Sequence, residues 1–68
     1  DYVICRRTNV ADNGELVVAL VDDGEATLKR FFKESHRVRL QPANANYEPI
    51  YTNNCHIEGV VVGLVRQL

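Results

Sequence analysis

The 68-residue chain has no methionine and no tryptophan, a single serine, two cysteines, two prolines and four glycines. The missing methionine leaves it without even an initiating residue, as expected of a piece excised from a longer protein. Two cysteines with no dense spacing and no signal-like opening exclude a disulfide framework, so Cys5 and Cys55 are expected as two free thiols of a cytoplasmic protein. The longest uninterrupted apolar run, residues 16–21, is far shorter than the roughly 20 residues that a membrane-spanning helix requires. No membrane association is expected. Positive charge is not in excess either: eight Lys and Arg stand against nine Asp and Glu, for a net charge of -1. That balance excludes general attraction to polyanions, because nucleic-acid modules carry a basic patch.

What is present points to strands. Hydrophobic residues make up 46% of the chain, enough for a packed core, but burial at this length is marginal without staples or partners. A fragment or an oligomer is therefore expected. Beta-branched residues and short apolar runs, punctuated by Gly, Asn, Asp and Pro, predict β structure throughout. Residues 2–5 form a first strand, closed by the polar Arg6-Arg7-Thr8-Asn9. Asp12-Asn13-Gly14 is a tight turn, since Asn and Gly tolerate positive φ. Residues 16–21 are apolar on both faces, which predicts a central strand covered on both sides. After Asp22-Asp23-Gly24 the chain reverses into residues 26–32, giving an antiparallel hairpin. Lys33-Glu34-Ser35-His36 is the next turn, and residues 37–40 alternate as a half-buried strand does. The segment 41–46, with Pro42 and two asparagines, is a defined loop. Residues 47–51 resume extended structure, with Pro49 marking an edge or irregular position. Asn53-Asn54 turns the chain into a long final strand, 57–65, whose Gly59 and Gly63 permit bending or close backbone approach.

Three groups of residues invite a chemical reading. Lys29 lies among apolar neighbours, where desolvation favours a neutral amine, and a neutral lysine is a general base. Strand geometry places Glu25, Thr27, Lys29 and Phe31 on one face, so the Thr27 hydroxyl is positioned to hold the amine while Phe31 limits its hydration. The competing reading is an ordinary exposed strand lysine, since lysine is almost never fully buried unless paired. The only serine, Ser35, falls in the polar turn. Cys55-His56 suggests metal at first, but adjacent strand residues project to opposite faces and no compact ligand spacing accompanies them, so no metal site is expected. Arg30, Lys33, Arg37 and Arg39 form a local basic cluster offset by Glu25 and Glu34. It reads as a solvated face, with a nucleic-acid platform as the alternative.

The order of five blocks is more specific than any single residue. They are Asn13-Gly14-Glu15-Leu16-Val17-Val18-Ala19, then Glu25-Ala26-Thr27-Leu28-Lys29-Arg30-Phe31, then Val38-Arg39-Leu40-Gln41-Pro42-Ala43-Asn44, then Tyr47-Glu48-Pro49-Ile50, and finally Glu58-Gly59-Val60-Val61-Val62-Gly63. In this order the chain resembles LexA-type repressors over residues 1–66, specifically their C-terminal self-cleaving domain. The resemblance implies a mostly β, signal-peptidase-like fold, present here as a partial catalytic domain over residues 1–68. The upstream serine-bearing half and the N-terminal DNA-binding domain would be absent. Lys29 matches the lysine of the family's serine-lysine dyad, with Thr27 as its support, and Asp1 looks like the aspartate of a Gly-Asp pair that follows the serine. Ser35 does not match the nucleophile. Ala43 departs from the glutamate many members carry, and Cys55-His56 lie outside the pattern.

By the same resemblance, the whole protein would repress genes of the DNA-damage (SOS) response until it cuts its own Ala-Gly linker. Its partners would be a RecA filament that promotes cleavage, DNA through the absent domain only, and a second copy of itself. Residues 59–68 are the expected dimer contact. No cofactor is implied. The alternatives are a non-catalytic β module for interaction and dimerisation, or a prophage-repressor or UmuD-type relative, although the 40–50 loop looks more like LexA than either. A type I signal peptidase would need a membrane anchor, which these residues lack.

Overall fold

The computed structural model describes residues 1–21 and 24–67. Asp22 and Asp23, expected in the hairpin turn, and Leu68, at the end of the expected dimer contact, lie outside the described residues. The described chain is all β: β1 (Tyr2–Arg7), β2 (Leu16–Leu20), β3 (Ala26–Lys33), β4 (Val38–Gln41), β5 (Ile50–Thr52) and β6 (His56–Val65). They form one antiparallel sheet in the order β1-β6-β2-β3-β4-β5. The first and last strands pair with each other, so the hairpins β2-β3 and β3-β4 are local while β6 closes on β1 and β2 from the far end of the chain.

The central place expected for residues 16–21 is occupied by β2, which pairs with β3 on one side and β6 on the other. Cover on both faces is not what the structure has. Val17 and Ala19 are fully buried, whereas Leu16, Val18 and Leu20 are only half-buried. The run is apolar on both faces, but a single sheet closes one of them. The core on that face is Val17, Ala19, Phe31, Leu40 and Val60, with Val21, Val38, Ile50 and Ile57 packed against it. In register they fall in two rows on the same face, Val60 opposite Val17, and Phe31 opposite Leu40 with Leu40 opposite Ile50.

Two elements differ from expectation by two residues or more. β1 continues through Arg6 and Arg7, which pair with Val60 and Gly59, because ladder hydrogen bonding is a backbone property and an edge strand tolerates charged side chains. Extended structure after the 41–46 loop is short: β5 begins only at Ile50, since the Tyr47 amide is taken by the Asn44 carbonyl at 3.1 Å and Pro49 has no N–H to give. The expected edge position is nevertheless where β5 lies.

β6 carries two irregularities. Glu58 is the extra residue between the pairs Val18–Gly59 and Ala19–Ile57, and Val62 between Ile4–Gly63 and Cys5–Val61. Such bulges bend the strand and increase its twist. Beside the first, Gly59 lies at a close approach, since a Cβ there would lie 3.0 Å from the Arg6 carbonyl oxygen and the two strands would have to shift slightly. Gly63 has ordinary room, with Ile4 Cδ1 3.5 Å from such a Cβ.

The β3-β4 turn closes through the Glu34 amide, which donates to the Arg37 carbonyl at 2.8 Å, and through the Glu34 carboxylate. That group accepts from Arg37 Nε at 2.8 Å and from Arg39 Nε at 3.0 Å. The hydrogen bond from Arg37, seconded by Arg39, holds the Glu34 carboxyl below its usual value of 4.5. A carboxyl lowered in the folded state adds stability above its unfolded pKa and loses it as pH falls through the lower folded value. Glu34→Gln is thus expected to be slightly less stable than the parent at neutral pH and equal to it in strong acid. Urea midpoints across that range measure this, and a difference that does not change with pH would exclude a charge contribution from the pair.

Candidate active site

β3 presents Thr27, Lys29 and Phe31 to the core face, as period-two geometry requires, and Phe31 is buried while Thr27 and Lys29 are half-buried. Lys29 stands opposite Val17, and Thr27 opposite Ala19. Both partners are fully buried, so the lysine stem lies over the most tightly closed part of the sheet. The amine turns back along its own strand: Nζ donates to Thr27 Oγ1 at 2.7 Å and to the Leu28 carbonyl oxygen at 3.3 Å. The ion pairs of Glu34 with Arg37 and Arg39 do not involve Lys29. Chemically, this is an amine anchored by two neutral oxygens on the core face of β3.

Ser35 is exposed in the turn beyond Lys33, where β3 ends. Four strand residues separate Lys29 from that end, a distance of about 13 Å at the rise of a β-strand. The two side chains are not brought together. Cys55 precedes β6 and His56 opens it; Cys5 lies on β1, and no disulfide joins the cysteines. Among the described residues no three His, Cys, Asp or Glu side chains gather as a ligand set.

The basic cluster is more organised than a solvated face. Arg39 lies over the Phe32 ring at 4.4 Å and Arg37 over the Tyr51 ring at 3.8 Å, while Arg39 Nη1 donates to Gln41 Oε1 at 3.0 Å. Phe32, Arg39 and Tyr51 are directly opposite one another across β3, β4 and β5. Arg30 reaches elsewhere, with Nη1 donating to the Gly14 carbonyl at 2.8 Å. The guanidinium groups are thus committed to Glu34, aromatic faces and backbone. Sequence reasoning missed this row because its members meet only through strand register; the signal was one Arg or aromatic residue on each of three successive strands, Phe32, Arg39 and Tyr51.

Residues 1–62 match the family described as Peptidase S24-like. The chain belongs to that family. Curated proteins similar to this S24-like chain are named LexA repressor. One from Geobacillus sp. (strain WCH70) is 56% identical over 66 residues, covering 97% of this chain and 32% of the relative. One from Caldicellulosiruptor saccharolyticus is 56% identical over 68 residues, 100% of this chain and 33% of the relative. Another from Lactobacillus delbrueckii subsp. bulgaricus is 59% identical over 66 residues, 97% and 32% respectively. The chain therefore spans about a third of the length of the curated relatives it matches. The all-β antiparallel sheet agrees with the fold expected from the LexA-type resemblance, and no helix among the described residues is long and apolar enough to cross a membrane.

Proposed function

We propose that Lys29 is the general base of a serine-lysine peptidase, and that this chain is the lysine-bearing part of a latent, self-cleaving LexA-type repressor domain. The observation that carries the reading is the amine itself, bonded to Thr27 Oγ1 at 2.7 Å on the core face of β3 in an S24-like chain. The unprotonated amine takes the proton of a serine hydroxyl as the serine oxygen bonds to the scissile carbonyl carbon. It then returns the proton to the departing backbone nitrogen, and water releases the acyl group. Thr27 is a positioning residue, holding the amine on its face of the strand. The buried Phe31 and Val17 limit water beside it. The chemistry requires neither metal nor cofactor.

In this reading the serine comes from a segment preceding Asp1, and DNA is held by a separate N-terminal domain. The biological setting is repression of DNA-damage (SOS) genes in the cytoplasm, with a RecA filament promoting cleavage. The relatives' name, LexA repressor, supports the repressor part of that assignment. The 68 residues by themselves are expected to show no peptidase activity, because a base without a nucleophile forms no covalent intermediate. Incubation with an Ala-Gly linker peptide at alkaline pH tests this, and turnover by the purified chain would overturn the assignment of the serine to another segment.

Self-association belongs to the same reading. Along the β1-β6 ribbon Tyr2, Val3, Ile4, Val62, Leu64 and Val65 are all exposed, Val62 and Leu64 by 57% and 55%. They lie on both faces, with Val3 opposite Leu64 and Tyr2 opposite Val65. Apolar side chains clustered this way mark a surface that another chain covers. A homodimer through the terminal strand is expected, and Val62→Glu or Leu64→Glu should shift it towards monomer. Light scattering at micromolar concentration measures the shift; a monomer unaffected by either substitution would exclude the contact.

A further inference from the structure

Of six asparagines, only Asn13 is followed by glycine. A backbone nitrogen closes most easily onto the carboxamide carbon of a preceding asparagine when its own residue has no side chain to obstruct the ring. Asn13 is exposed, and a Cβ built on Gly14 would meet nothing within 4 Å, so crowding does not protect the pair. Hydrogen bonds to β3 hold both reacting groups instead. The Gly14 amide, the nucleophile, donates to the Phe31 carbonyl at 2.7 Å. Asn13 Oδ1, on the carbon to be attacked, accepts from the Lys33 amide at 2.7 Å. The Phe31 amide donates to the Glu15 carbonyl at 2.9 Å and Arg30 Nη1 to the Gly14 carbonyl at 2.8 Å, pinning the same turn.

We infer that Asn13 is a spontaneous deamidation site gated by release of the 12–15 turn from β3. Gly14 N bonds to Asn13 Cγ, the Cγ–Nδ2 bond breaks, and the amide proton leaves with the nitrogen as ammonia. Water then opens the cyclic imide to aspartate or isoaspartate. The two products differ in consequence. Aspartate keeps the backbone and an acceptor for the Lys33 amide, so the turn stays docked. Isoaspartate inserts a methylene into the main chain, which removes the register of Gly14 with Phe31 and undocks the turn from the strand that carries Lys29.

Mass spectrometry of the chain, aged at mildly alkaline pH natively and in urea, tests the inference. The peptide 8–29 reports Asn13, with Asn9 in the same peptide as reference. In urea, conversion at Asn13 should run well ahead of Asn9, and in the native protein it should be slower by about tenfold or more, as local opening of a docked turn imposes. Hydrogen exchange of the Gly14 amide should be slowed by a similar factor, since one opening exposes both reactions. Equal native and unfolded rates would overturn the gate, as would rapid conversion beneath a protected Gly14 amide. Absence of conversion at Asn13 in urea would overturn the site.

Discussion

Lys29→Ala, made in a chain that carries the upstream serine segment, is expected to lower self-cleavage by about a hundredfold to ten-thousandfold, the range a general base contributes. Folding should survive. Lys29 is half-buried and hydrogen-bonds to one hydroxyl and one carbonyl on its own strand, so the cost in stability is of order 1 kcal/mol. Lys29→Arg should be as inactive, because a guanidinium keeps its proton at any pH the protein tolerates. Thr27→Val should cost less, about tenfold, through loss of one hydrogen bond to the amine, and should change the pH profile more than it changes stability. In the parent, cleavage should rise with pH as a single group deprotonates. Self-cleavage followed on gels from neutral to alkaline pH, with a thermal melt of each variant, separates the roles. Retained cleavage in Lys29→Ala or Lys29→Arg would exclude Lys29 as the base.

Leu40→Ala is expected to destabilise the fold by about 2–5 kcal/mol, the range for deleting a fully buried leucine side chain. Leu40 is completely enclosed, between Phe31 on β3 and Ile50 on β5, and a one-layer core has few other residues to close the cavity. Against a typical total of about 5–15 kcal/mol the loss is a large fraction. Leu28 is the control. It is 42% exposed on the opposite face of β3, paired with Val18, and Leu28→Ala should cost under about 1 kcal/mol. Urea midpoints of both variants decide the matter, and equal losses would mean that the core is not confined to the Lys29 face.

Much of the sheet was legible because its punctuation is local. Asp12-Asn13-Gly14 turns with Gly14 at φ 89°, as its composition requires, and alternation put Thr27, Lys29 and Phe31 on one face before any pairing was known. The Thr27–Lys29 contact was readable for the same reason, since residues two apart on a strand are neighbours on its face. The pairing of β6 with both β1 and β2 was not, because no local pattern encodes which distant strand lies alongside. The one-sided cover of β2 escaped too: an apolar run states that both faces can be buried, and only the number of layers decides whether they are.

The sequence by itself determined the strand-rich class, the 12–14 turn and the face on which Lys29 sits, which follow from residue type at fixed short spacing, and the family, which follows from resemblance in the order of five blocks along the chain. The tertiary structure alone decided the strand order, the bulges at Glu58 and Val62, the stacking of Arg37 and Arg39 on Tyr51 and Phe32, and the docking of the Asn13-Gly14 turn on β3. Each of these depends on register between segments far apart in the chain. Register is set by the summed burial and hydrogen bonding of whole strands, a property that no single residue or short motif carries.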